Sequence, residues 1–305
     1  MSIYTWIRDN SPASDAPLPD HADLGEDRGQ WVPGAYEALL MRSDASIRRP
    51  ALYNLSLALK ARKQMKQPGQ EHAAAFEKAV LGSGGAIGIV DPLISFLYKL
   101  HIDRNAARTE ALRLCLEGEK RELVKTGIAL LGVYGDPADD LAVLKVLAAH
   151  EEFTFFCAPA IRTLAGDEEV NDVLLPLARA LGGWGKTAVL YELNYEKPEA
   201  REFCLREGCR NRLGNAENAN VCATKGRLSE RLNKLLEGSD PPDDALFAGI
   251  CDIFEGLTTF DGQHDSLNDY KFGNAARSAF AELLKKFPRL KAAEPRAEKL
   301  LERMR

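Results

Sequence analysis

The chain has 305 residues, 45% of them hydrophobic and 28% charged, with a formal net charge of −5. The apolar share suffices for a continuous core and excludes a disordered chain, while the excess of acid argues against generic adhesion to nucleic acid, which needs clustered positive charge. No segment approaches the roughly 20 apolar residues that span a bilayer, and the start Met1-Ser2-Ile3-Tyr4-Thr5-Trp6-Ile7-Arg8 lacks the basic-then-apolar order of a secretory leader, so a cytoplasmic location without membrane contact is expected.

Residues 1–34 read as an irregular N-terminal arm, interrupted by Pro12, Pro17, Pro19 and Pro33, with Trp6 and Trp31 as candidate anchors onto the body. Helical spacing begins near Tyr36 and opens an N-terminal helical region over 35–90. In 47–65 the expected buried stripe is Leu52, Leu55, Leu59 and Arg62, widened by Leu57 and Ala58. Arg48, Arg49, Lys60, Arg62, Lys63 and Lys66 meet no acid between Asp44 and Glu71 and read as a solvated helix face. Pro68-Gly69 and Ser83-Gly84-Gly85 end successive elements.

From 91 to 237 a helix-ending signal recurs. It reads Leu130-Leu131-Gly132-Val133-Tyr134-Gly135-Asp136-Pro137, then Leu164-Ala165-Gly166-Asp167, with looser copies at Asn194-Tyr195-Glu196-Lys197-Pro198 and Ala223-Thr224-Lys225-Gly226-Arg227-Leu228. Aligned on Gly135, Gly166, Glu196 and Gly226, the spacings are 31, 30 and 30 residues. A helix pair of about 30 residues cannot close a core alone, so a period of this size marks pairs that bury their apolar stripes against neighbours. Expected helices lie near 91–100, 104–116, 119–133, 138–149, 152–165, 168–181, 185–193, 198–207, 216–225 and 228–237. Pro137 and Pro198 suit first-turn positions, where a missing N–H costs nothing, whereas Pro159 is expected to bend its helix or mark an early turn.

Residues 238–305 read as a helical C-terminal cap, built on Leu246, Ile250, Ile253 and Phe254 and on Ala276, Phe280, Leu283 and Leu284. Charge is segregated here: 237–270 holds nine acidic residues and no Lys or Arg, and 271–305 holds ten basic residues against four acidic.

Together these spacings point to an all-α fold of stacked helix pairs with an irregular arm and a helical cap, and with the Leu164-Ala165-Gly166-Asp167 turn they resemble a HEAT-like helix-pair solenoid (an α-α superhelix). Leu181-Gly182-Gly183-Trp184-Gly185-Lys186 and Leu205-Arg206-Glu207-Gly208-Cys209-Arg210-Asn211 resemble a group of uncharacterised bacterial HEAT-like repeat proteins, over roughly residues 95–285. The resemblance implies the fold and no particular activity.

The candidate binding residues are Trp184, Lys186, Glu192, Arg206, Glu207, Arg210 and Asn211. The glycine loop would place an indole and an ammonium at one edge of a groove, and the charged run after it supplies the Arg favoured at protein interfaces. No catalytic residue, metal ligand or cofactor is expected. The G-x-x-x-x-G-K-[ST], His-Glu-x-x-His and G-x-S-x-G patterns are missing. Cys204, Cys209 and Cys222 have no His between His150 and His264 to complete a zinc set, and read with Cys115, Cys157 and Cys251 as reduced core thiols. His150 reads as a helix-end or surface residue, and Asp261, His264, Asp265 and Asp269 as a loop. The expected function is a protein-binding scaffold or adaptor, in one form an immunity-type binder of a basic partner. The alternative is an enzyme or nucleic-acid-processing HEAT-like protein, DNA glycosylase-like, with a groove site near Trp184, Lys186, Glu192 and Arg206.

Overall fold

A computed structural model of the chain describes residues 1–24, 31–42, 51–259 and 266–304. Among them are 17 α-helices and no strand, in agreement with the all-α expectation. The chain divides into two compact units, Met1–Leu177 and Ala178–Arg305, a division that falls inside the span 91–237 where repeats are expected from the sequence. Among the described residues, no helix is long and apolar enough to cross a membrane.

Unit 1 opens with α1 (Ile3–Asn10), capped by Ser2, whose hydroxyl accepts the Thr5 N–H at 3.2 Å. The arm therefore starts as a short helix, with Ile3 and Ile7 buried. Then follow α2 (Ala35–Arg42), α3 (Ala51–Lys66), α4 (Gln70–Leu81), α5 (Val90–Lys99), α6 (Arg104–Glu117), α7 (Arg121–Tyr134), α8 (Pro137–Ala148) and α9 (Glu151–Ala180). The buried face of α3 differs from the expected stripe. Asn54, Leu57, Ala58, Ala61, Gln64 and Met65 point inward, Leu55 is half-buried and Leu59 exposed, while the side chain of Leu52 lies outside the described part. The two faces lie more than a third of a turn apart at 3.6 residues per turn, and packing against α4, α5 and α6 chooses between them.

Helix α7 is the centre of unit 1. Every residue from Arg121 to Ile128 is buried, because α4, α5 and α6 all pack on it. Gly127 allows the closest approach: a Cβ there would meet Leu114 Cβ at 2.8 Å and the Ala111 carbonyl at 2.9 Å. The helix-ending signals do what their spacing suggests at three of four places. Gly135 closes α7, its N–H bonding the Leu131 carbonyl, and Asp136 then caps α8 through the Ala138 N–H at 2.9 Å, with Pro137 first in the helix. Gly166 breaks α9 at φ 69°, ψ 175°. That conformation suits glycine and not proline, so the break falls at Gly166 while Pro159 sits within the helix.

In unit 2, α10 (Trp184–Glu192) precedes α11 (Pro198–Phe203), which runs on into a π-helical turn, Cys204–Gly208. Then come α12 (Ala216–Lys225), closed by Gly226, α13 (Leu228–Glu237), α14 (Asp244–Leu257), α15 (Gly273–Lys286), α16 (Arg289–Ala293) and α17 (Arg296–Arg303). Glu196, the third of the four aligned positions, lies in the turn before α11 and ends no helix. The cap residues Leu246, Ile250, Ile253, Phe254, Ala276, Phe280, Leu283 and Leu284 are all buried, with the Phe254 and Phe280 ring centroids 4.7 Å apart.

Two glycines bring α14 against its neighbours. A Cβ at Gly249 would stand 2.2 Å from the Leu205 carbonyl, and one at Gly256 would stand 2.6 Å from the Asn215 carbonyl. The obstacle at Gly249 is backbone and cannot rotate away. Gly249→Ala is expected to destabilise unit 2 by about 3 kcal/mol or more, read as a lowered melting temperature by circular dichroism. A melt within a degree or two of wild type would refute this close approach.

Candidate functional site

The 182–212 segment is held together inside unit 2. The Lys186 ammonium is buried and donates to the Glu207 carbonyl at 2.9 Å and the Arg210 carbonyl at 2.8 Å, one within the π-helical turn and the other just after it. Burial pushes its pKa below the ordinary lysine value. Asn211 donates its amide to the Gly183 carbonyl and the Thr187 hydroxyl, both at 3.2 Å, and the Arg212 N–H bonds the Gly182 carbonyl at 2.6 Å. These bonds explain the glycines: a Cβ at Gly182 would press on the Arg212 side chain at 3.0 Å.

The charged residues fan outward from this knot. Arg206 pairs with Glu202 at 3.1 Å and bidentately with Asp243 at 2.7 and 2.8 Å. Glu207 accepts from Arg179 at 2.9 Å, and Arg210 donates to the buried Asp252 at 2.7 Å. Trp184 and Glu192 are half-buried at the two ends of α10. Lys186 and Arg206, which the enzyme reading would bring together, address different acceptors. Asp252 and Glu255 of the acidic stretch are also committed, to Arg296 at 3.0 and 2.8 Å. Glu237, Asp240 and Asp244 of that stretch are exposed.

A second polar centre, which sequence reasoning did not find, lies in unit 1. Lys125 is 0% exposed, and its ammonium stands 2.5 Å from Glu37 Oε1, 2.6 Å from Glu152 Oε1 and 3.4 Å from Glu122 Oε1. Glu122 Oε2 accepts the Ala86 N–H at 2.6 Å, and Arg121 reaches Glu152 at 3.2 Å. Arg121 also binds Asp20 of the arm through its Nε, its Nη2 and its own backbone N–H. Burial alone would lower the Lys125 pKa, but Glu152, Glu37 and Glu122 outweigh it and hold the ammonium above its ordinary range. Burial likewise works against the Glu152 carboxylate, and Lys125 and Arg121 overcome it, holding Glu152 at about 2. Glu37 goes the other way: burial raises its pKa beyond what Lys125 offsets, and its Oε2 is buried without a hydrogen-bond partner.

Glu37, Glu122 and Glu152 can each offer an oxygen within 4.8 Å of the other two, the separation a cation site needs. The Lys125 ammonium supplies that cation from the chain itself, and a divalent ion would have to displace it against strong mutual attraction. The only hint in the sequence was Glu122-x-x-Lys125, an i, i+3 pair that ordinarily lies on a solvated face.

His150 stands between the end of α8 and the start of α9, the helix-end position expected from the sequence, but it is buried and not on the surface. Its Nε2–H donates to the Ala16 carbonyl at 2.7 Å and its Nδ1 accepts the Glu152 N–H at 3.3 Å, the pattern of a neutral imidazole, and burial lowers its pKa. Trp6 meets the His150 ring edge-on at 6.4 Å and so anchors the arm, whereas Trp31 packs on Tyr36 and stays partly exposed. All six cysteines are free and buried. Asp269 accepts from the Ser266 N–H and hydroxyl, closing a local turn, and Arg48, Arg49, Asp261, His264 and Asp265 lie outside the described residues.

Compared with known proteins, the chain matches no family model, no curated protein and no solved structure.

Two outcomes test this arrangement. Lys125→Met leaves buried carboxylates uncompensated and should cost about 3–5 kcal/mol at neutral pH in urea denaturation. Without the ammonium their folded pKa values rise above the unfolded ones, so the stability attached to them survives at low pH and is lost as pH rises. The deficit should therefore shrink as pH is lowered toward about 5. An equal deficit at both pH values would refute the network. Second, a thiol reagent should label none of the six cysteines in the native protein and all six after unfolding; rapid native labelling would show the packing to be wrong.

Proposed function

We propose that this chain is a non-catalytic, cytoplasmic, protein-binding scaffold, with helix pairs stacked in HEAT-like fashion within each unit and an acidic edge that engages a basic partner. What carries the reading is how the polar residues of the 182–212 segment are used. Lys186, Asn211, Arg206 and Arg210 each bond a carbonyl, hydroxyl or carboxylate of a neighbouring helix or turn, which makes a rigid presenting surface. The repeat spacing and the glycine-closed ends of α7 and α12 support the stacked pairs. Free buried thiols support a reducing compartment.

The acidic edge follows from sorting the 237–270 carboxylates. Asp243, Asp252 and Glu255 have arginine partners within the unit, whereas Glu237, Asp240 and Asp244 are exposed around the α13–α14 loop. Unspent negative charge on a rigid frame speeds encounter with a basic surface and disfavours acidic ones. The exposed Tyr191 on α10, at 64%, provides an aromatic contact of the kind found at interfaces.

Affinity purification with crosslinking from the native host, run beside the triple variant Glu237→Lys, Asp240→Lys, Asp244→Lys, tests the proposal. A basic protein should copurify with wild type and drop at least about tenfold with the variant, since like charges at a contact are strongly unfavourable. Recovery of no partner after crosslinking, or equal recovery by both proteins, overturns it.

A further inference from the structure

A cleft of about 250 Å³ opens in unit 2 between α11 and α13. It is lined by Arg201, Arg227, Arg231 and Lys234, with Glu202 and Glu230 as the only acids. Four cations against two anions leave a net charge of about +2 in a chain whose total is −5. Glu202 is already shared between Arg206 and Arg231, both at 3.1 Å, and Glu230 reaches Arg227 only at 3.7 Å. Arg201 and Lys234 have no ion pair among the described residues.

Two further observations concern the arginines of the cleft. The Nε–H of Arg231 is buried and has no acceptor, an expensive condition for a guanidinium donor. Arg227 holds a left-handed backbone, φ 54°, ψ 50°, which non-glycine residues adopt at a cost of order 1–3 kcal/mol. The preceding Gly226 takes no side chain, since a Cβ there would lie 2.5 Å from the Cys222 carbonyl. The turn thus holds a cation at the cleft at some expense in backbone energy.

The geometry points to a binding site for a phosphoryl group, a compact dianion whose oxygens accept from the forks of Arg201 and Arg227 and from the Lys234 ammonium, with Arg231 adding positive charge from the wall of the cleft. A phosphomonoester carries a charge of about −1.5 to −2 near neutral pH, which matches the excess in the cleft. Planar guanidinium forks bind its oxygens bidentately, and a phosphoryl group offers more oxygens and more negative charge than a single carboxylate. The small volume fits a headgroup and not a folded chain. The ligand is either free phosphate or a phosphorylated side chain, and the site is independent of the acidic edge proposed above.

Isothermal titration of the full chain with inorganic phosphate, with a phosphoserine peptide and its unphosphorylated twin, and with acetate tests the assignment. Phosphate should bind and acetate should not, and Arg201→Gln or Lys234→Gln should each weaken binding about tenfold, the effect of one charge-assisted hydrogen bond. Neither side chain has an ion pair, so both variants should melt with wild type. Tighter binding of the phosphopeptide than of phosphate supports the site with a phosphorylated side chain as the source; equal or weaker binding supports it with the free anion. Failure of wild type to bind either phosphate species at millimolar concentration overturns the site, as does acetate binding as strongly as phosphate or undiminished binding by the double variant.

Discussion

Unit 1 depends on one ammonium group. Lys125 sits on a helix that is buried on all sides, and its charge holds Glu37 of α2, Glu122 of α7 and Glu152 of α9 within a few ångströms of one point. Arg121, one turn away, carries the same connection into the arm through Asp20. Removing such charges from water is costly, and their mutual attraction in a medium of low dielectric does little more than offset that cost. The network therefore acts mainly on geometry. A displaced arm or a slipped helix would leave a buried charge without its partner, so alternative packings are penalised far more than the native one is rewarded.

Unit 2 solves the same problem with hydrogen bonds and close backbone contact. Lys186 takes up the Glu207 carbonyl within the π-helical turn and the Arg210 carbonyl just after it. Asn211 ties the glycine loop to the same knot, and Gly249 lets α14 lie directly on the turn. With these interior demands met, the remaining charges are left to solvent. Acids stay exposed around the α13–α14 loop, and cations remain in excess between α11 and α13.

Much of the helix order was legible because its signals are local. Asp136-Pro137 starts a helix through a cap and a proline that loses nothing at the first position, and Gly135, Gly166 and Gly226 interrupt or end helices within their own few residues. The candidate residues of 182–212 were recognisable as unusual for the same reason. Their partners were not: Arg206 bonds Asp243 and Arg210 bonds Asp252, about forty residues away, and no local spacing announces such a pair. The α3 stripe failed for a related reason. Both of its faces are apolar, and only the neighbouring helices determine that Leu57 and Ala61 go inward while Leu59 stays out.

By itself, then, the sequence determined the helical class, the helix-ending turns and the segregation of charge along the C-terminal third, all properties of residues near one another in the chain. The tertiary structure alone decided that Lys125 and His150 are interior, and that Glu37 shares a site with a carboxylate 115 positions later. It also decided which acids remain exposed to solvent. An ionisable side chain has the same formula on a surface and in a core. Its role is set by desolvation and by the charges that face it, and folding supplies both.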